Sequence, residues 1–194
     1  MAFRPRILAF AGSSRKDSYN KKLVRIAAAC AAEAGAEVTF QDLADLPLPV
    51  YDGDLETAEG VPANARTLRK LMMAHQGWLI ATPENNGSTS ALLKNAIDWT
   101  SRKDGDDPGQ VAFPGRIALL LSVSTGAGGG RKGLAHLRDI LQHRTVLVLP
   151  ESLSVPHAAR AFGDNGALAD GAQQEQLARI AARLVETVAR LKGS

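Results

Sequence analysis

Five short apolar runs, separated by stretches with helical spacing, restrict what this chain can fold into more than any other feature. They are Ile7-Leu8-Ala9-Phe10-Ala11, Val38-Thr39-Phe40, Trp78-Leu79-Ile80-Ala81, Ile117-Ala118-Leu119-Leu120-Leu121 and Val146-Leu147-Val148-Leu149. Runs that are mostly continuous, with little alternation, are expected of strands covered on both faces. Between them, Leu23, Ile26, Cys30 and Ala34 share one side of a helix ending near Gly35, and further helical segments span about 62–75, 89–99, 130–143 and 170–192. The order is βαβαβαβαβα. Right-handed crossovers between parallel strands put helices on both faces, so a doubly wound three-layer α/β/α sandwich follows.

With five strands, the flavodoxin-like order 2-1-3-4-5 is the expected arrangement. A chain of 194 residues, 45% hydrophobic and 22% charged, suits one core, so a single domain over 1–194 is expected. Segments 43–60, with Pro47, Pro49 and Gly53, and 101–115, rich in Asp, Gly and Pro, read as loops within it. No run approaches the roughly 18 apolar residues of a membrane span, and residues 1–6 lack the apolar core of a secretory leader. A cytoplasmic protein without a membrane partner is the expectation. The single cysteine, Cys30, lies among alanines and reads as a small filler. Net charge is +3, with the cations scattered and aromatics at 5%, so nucleic acid is not an expected partner. A modest positive field does suit a small anionic ligand.

The stretch after the first strand supplies the chemistry for one. Gly12-Ser13-Ser14-Arg15-Lys16-Asp17-Ser18-Tyr19-Asn20 combines hydroxyls, two cations and the opening of a helix. Main-chain N–H groups at a helix N-terminus attract an anion, serine hydroxyls donate to it, and an arginine adds a charge-assisted bond. Neither GxxxxGK[ST] nor GxGxxG is present in this stretch, which favours a monophosphate over a nucleotide polyphosphate. A polar turn in which Ser18 or Asn20 simply caps the helix is the competing reading. Asp17 must face solvent if the anion reading holds.

In an open α/β sheet, ligands sit beyond the carboxyl ends of the strands where strand order reverses. The loop after the third strand, Pro83-Glu84-Asn85-Asn86-Gly87-Ser88, would therefore face the same cavity as the first loop. Taken together, GSSRKDSYNKKL at 12–23, PENNGS and LLKNAIDW within 83–99, the Ser122-Val123-Ser124-Thr125-Gly126 loop and the Gly129-Gly130 to Leu141 stretch resemble the NADPH-dependent FMN reductases. That family includes quinone, azo-dye and chromate reductases. The resemblance implies a flavodoxin-like fold, noncovalently bound FMN, NADPH or NADH as co-substrate, and a small-molecule electron acceptor such as a quinone, an azo compound, a metal oxyanion or free flavin.

By the same resemblance, Ser13, Arg15, Ser18 and Asn20, with the Tyr19 main chain, contact phosphate. Pro83, Glu84, Asn85 and Asn86 run along the isoalloxazine ring, with Ser124, Thr125 and Gly126 opposite. The flavin carries the chemistry, so no catalytic side chain is expected. Trp99 and residues 136–141 are expected to help form a homodimer or homotetramer. One departure stands out: Asn85 occupies the place of the tyrosine in the family's usual Pro-Glu-Tyr-Asn, which removes an aromatic contact beside the ring. Two alternatives stay open: a flavin-binding electron carrier or sensor, and a degenerate member that has lost FMN, which the Asn85 departure alone supports. His75, His136, His143 and His157 show no ligand spacing, so no metal is expected. No GxSxG elbow surrounds Ser13.

Overall fold

The structure, a computed structural model, describes residues 3–164 and 166–193. Met1 and Ala2, at the head of the segment read for a leader, lie outside the described residues. From the N-terminus the chain forms β1 (Arg6–Ala11), α1 (Tyr19–Glu33), β2 (Glu37–Gln41), α2 (Gly53–Glu59), α3 (Ala63–Ala74) and β3 (Gly77–Ala81). It continues with a small hairpin of β4 (Glu84–Asn85) and β5 (Ser88–Thr89), then α4 (Ala91–Thr100), β6 (Ile117–Val123), α5 (Arg131–His143), β7 (Leu147–Val155) and α6 (Gly171–Lys192). The large sheet is parallel throughout, ordered β2-β1-β3-β6-β7. Setting the hairpin aside, that is the expected 2-1-3-4-5.

Alternate residues of each central strand feed opposite faces. Ile7, Ala9, Leu79, Leu119 and Leu121 pack under α1 and α6, whereas Leu8, Phe10, Trp78, Ile80 and Leu120 pack on the other side against α3, α4 and α5. Both faces are buried, which is why the runs read as continuous. Each fully buried Leu or Ile contributes roughly 1.5–3 kcal/mol of transfer free energy. Helix starts are defined by local chemistry: Ser18, Ser90 and Asp170 cap α1, α4 and α6 by accepting main-chain N–H groups of the first turn.

Three features depart from the sequence reading. Segment 43–60 is not wholly irregular: it holds a short 3₁₀ turn and α2, whose N-cap Asp52 accepts from the amides of Asp54 and Leu55. The strand expected at 146–149 runs on to Val155 through Pro150. Proline is tolerated because β7 is an edge strand, and its pairing with β6 shifts register between Ala118 and Leu120. Trp99 is fully buried; its indole N–H donates to the Pro49 carbonyl at 2.8 Å and its ring meets Tyr51 edge-on. It anchors the 47–51 segment inside the fold and is not a subunit contact.

Cys30 is also buried, and burial above all pushes its thiol pKa up, as befits an inert filler. Among the described residues, no helix is long and apolar enough to cross a membrane.

Candidate functional site

Strands β1, β3 and β6 end side by side at the point where strand order reverses, and the chain leaving each contributes one wall of a single cavity. The ladder continues one residue past each strand, with the Gly12 amide donating to Ala81 and the Thr82 amide to Leu121. Below the cavity, buried hydroxyls stitch these exits together. Ser90 Oγ donates to the Gly12 carbonyl at 2.7 Å, Ser122 Oγ donates to the Thr82 carbonyl at 2.7 Å, and the hydroxyls of Thr82 and Thr89 lie 2.9 Å apart. Buried polar groups satisfied in this way hold the strand ends in one arrangement. The result is a cavity of about 400 Å³, within the size range of small-molecule sites.

The first wall is the loop before α1. Ser13, Ser14, Arg15, Ser18, Tyr19 and Asn20 all line the cavity. The amides of Tyr19 and Asn20 precede the first donor of the helix ladder, the Lys22 amide that bonds the Ser18 carbonyl, so they are free of it. Ser18 Oγ accepts from the Lys21 amide at 3.4 Å, so it caps the helix, yet its O–H remains a donor. Capping and anion binding are therefore compatible at this residue. Asn20 is placed differently from the phosphate-contact reading. Its carboxamide donates to the Val123 carbonyl at 3.0 Å and accepts from the Val123 amide at 3.1 Å, tying α1 to the end of β6. What it can offer a ligand is its main-chain N–H. Asp17 is exposed and does not line the cavity.

The second wall is the β4–β5 hairpin. Asn85 pairs with Ser88 across a two-residue turn in which Asn86 has φ 51° and Gly87 φ 77°. Both central residues at positive φ define the turn type that asparagine-glycine favours. That dipeptide is the local signal for a hairpin where the sequence analysis expects an open loop. Pro83, Glu84 and Asn85 line the cavity; Asn86, turned outward at the tip, does not. Glu84 directs its carboxylate away, to the start of α5.

The third wall holds Val123, Ser124 and Thr125. Gly126 lies just outside it, where its carbonyl accepts from the His157 amide at 3.4 Å. The glycine run beyond is a helix entry: at Gly130, with φ +88°, a Cβ would fall 1.8 Å from Ser122 Oγ.

Ser90, Ala91 and Leu92, at the start of α4, complete the lining. The sequence alone does not assign them, because what holds this end of α4 at the cavity includes the long-range bond from Ser90 to the Gly12 carbonyl, which local sequence does not specify. The donor set fits the phosphate of FMN: hydroxyls, helix-start amides and Arg15, with Glu84, the one carboxylate lining the cavity among the described residues, turned to α5. Main chain from two walls, with Ala91 and Leu92, suits a flat heteroaromatic ring.

Perturbed carboxylates lie elsewhere. Arg102 beside Glu56, and Arg66 beside Asp104, hold these acids below the usual carboxylate range in ion pairs that brace the loop after α4. Among the described residues, no group of three His, Cys, Asp or Glu side chains is placed to hold a metal ion.

Comparison with known proteins agrees with this geometry. The family described as NADPH-dependent FMN reductase matches residues 5–160, a span that includes all three walls. The chain is 33% identical over 190 residues to an NAD(P)H-dependent FMN reductase of Pseudomonas aeruginosa, covering 97% of each protein. It is 33% identical over 193 residues to an NADPH:quinone oxidoreductase of Arabidopsis thaliana, covering 97% of this chain and 94% of that one. Among solved structures, a flavoenzyme NAD(P)H:(acceptor) oxidoreductase from Paracoccus denitrificans aligns with a TM-score of 0.79 at 26% identity, over 96% of this chain and 98% of the other.

Proposed function

The chain belongs to the NADPH-dependent FMN reductase family, and on that premise we propose that it is an FMN-dependent NAD(P)H oxidoreductase reducing a small-molecule acceptor. A quinone, an azo compound, a metal oxyanion or free flavin fits that role. The observation that carries the reading is the convergence of three strand-end walls on one cavity, with anion donors on the wall before α1 and main chain on the other two, joined by Ala91 and Leu92.

When bound, FMN supplies the electron chemistry. The chain's own residues bind and orient. Ser13, Ser14, Arg15 and Ser18, with the amides of Tyr19 and Asn20, hold the phosphate. The main chain of Pro83, Glu84 and Asn85 and that of Ser124 and Thr125 flank the ring. Asn86 and Gly126 act indirectly, by shaping the turns behind these walls. No side chain is assigned as a catalytic acid or base.

A homodimer or homotetramer belongs to the same reading. The cleft between α4 and α5 supports it: beside the Lys94–Asp98 ion pair, its lining carries Asp139 and Arg144, charges of both signs for a second copy. A cytoplasmic setting suits a reductase drawing on NAD(P)H.

The test is titration of flavin-stripped protein with FMN, followed by flavin fluorescence, then NAD(P)H oxidation with a quinone. Saturable binding at micromolar or tighter affinity with steady NAD(P)H consumption is expected. Asn85→Tyr should bind FMN about threefold to tenfold more tightly, the scale of one aromatic contact. A wild type that never saturates would remove the reading, and rescue by Asn85→Tyr would identify a chain that has left flavin chemistry. Binding without NAD(P)H turnover would mark an electron carrier.

A further inference from the structure

Glu84 does something its position in the cavity wall does not require. Its Oε2 accepts the main-chain N–H of Lys132 at 3.0 Å and of Gly133 at 3.3 Å, so the hairpin's carboxylate caps the start of α5. A helix normally supplies this cap from its own N-cap residue. Here that residue is Gly130, which has no side chain to offer and cannot acquire one against Ser122. The vacancy is filled from another element, by a group whose negative charge also suits a helix N-terminus.

The same interface carries two more contacts. Gly133 lets the hairpin close on the helix, since a Cβ there would lie 3.1 Å from the Ser88 carbonyl oxygen and 3.3 Å from Glu84 Cα. His136 Nδ1 lies 3.0 Å from Ser88 Oγ. Helix α5 is itself fixed to the sheet through Leu134, Leu137 and Leu141.

We infer that Glu84 is a positioning residue for FMN: its carboxylate seats the main chain of residues 83–85 on α5, so that this wall is already in place when the ring enters. The inference rests on the FMN reading above. The hairpin has only two residues in each strand and pairs with no strand of the main sheet. Its placement therefore depends on what it is docked against. A wall held before binding spares the ligand the entropy of ordering it. Because Oε2 is held by the α5 amides, Glu84 acts on FMN through the hairpin main chain.

The experiment measures FMN dissociation constants by fluorescence, visible absorption of the bound flavin, and melting of the flavin-free protein for wild type, Glu84→Ala, Glu84→Gln and Gly133→Ala. Glu84→Ala should weaken FMN binding about tenfold, the scale at which groups orienting a ligand's contacts act. It should also shift the visible bands, while the flavin-free protein still melts cooperatively. Glu84→Gln keeps an acceptor oxygen and should fall between Ala and wild type. Gly133→Ala favours helix but wedges the hairpin outward by a few tenths of an ångström, and should weaken FMN binding with no loss of melting temperature.

Unchanged affinity in Glu84→Ala would overturn the inference and leave the FMN reading standing. If Glu84→Ala fails to fold, Gly133→Ala decides, and wild-type affinity there overturns it equally. A wild type that does not bind FMN would bring down both.

Discussion

Asn20 shows how one side chain can belong to a binding loop and still be structural. Its carboxamide satisfies both main-chain groups of Val123, more than a hundred residues away in sequence, and the pair is buried. Replacing it with alanine strands a buried N–H and a buried C=O at the end of β6. Each such group costs about 1–3 kcal/mol. Asn20→Ala should therefore lower unfolding free energy by about 2–4 kcal/mol in urea titration, and a loss below about 0.5 kcal/mol would show that water replaces the amide. Asn20 was singled out from the sequence as the residue opening a helix beside an anion loop. Its true partner could not be read there, because nothing local specifies which strand end α1 will lie against. Ser18 was more legible, since capping and anion donation use the same hydroxyl.

Elements owe their order here to charges that local sequence leaves unassigned. The Asp- and Gly-rich segment after α4 has little apolar content, yet α3 holds it closely. Arg69, only 4% exposed, donates to the Thr100 carbonyl at 2.9 Å, to Asp107 at 3.0 Å and to the Arg102 carbonyl. One turn earlier, Arg66 pairs with Asp104 through two nitrogens, and Arg102 reaches back to Glu56 on α2. A planar guanidinium satisfies several oxygens at once in a way that no apolar side chain can.

Arg69→Met should cost about 2–4 kcal/mol, because it leaves buried acceptors without a donor. Amide exchange should accelerate across 101–110 while the central strands keep their protection. Uniform acceleration throughout the chain would instead mean that Arg69 supports the global fold. The i, i+3 spacing of Arg66 and Arg69 was visible in the sequence, but solvent-facing arginines share that spacing. Only the path of the following loop separates the two cases.

For the molecule as a whole, the same ion pairs determine how stability responds to acid. Glu56 and Asp104 titrate below their ordinary range, chiefly through hydrogen bonds from Arg102 and Arg66. Burial pushes Asp42 upward, but the hydrogen bond from Lys21, the Ala44 amide and the nearby cations outweigh it and leave its pKa lowered. For depressed carboxylates the unfolded chain binds protons first. Their stabilisation is present above the unfolded pKa, near 4, and is lost as pH falls through the lower folded values. The urea midpoint should thus be flat from about pH 7 to 5 and fall below about pH 4. A midpoint that stays level to about pH 3 would show that these pairs contribute little net energy.

What the sequence determined by itself was the alternation of strands and helices, the coverage of both sheet faces, the strand order and the loop before α1. Each is written in short-range pattern: continuous apolar runs, helical spacing, and hydroxyls and cations at a helix start. What the tertiary structure decided was which groups meet. It turned Glu84 from the cavity to α5, spent the Asn20 amide on Val123, folded Asn86 and Gly87 into a hairpin tip, buried Trp99 under Pro49, and brought Ala91 and Leu92 to the lining. The reason is physical. A hydrogen-bonding side chain does not encode its partner, and its cost or benefit depends on what lies within about 3 Å once distant segments have packed together.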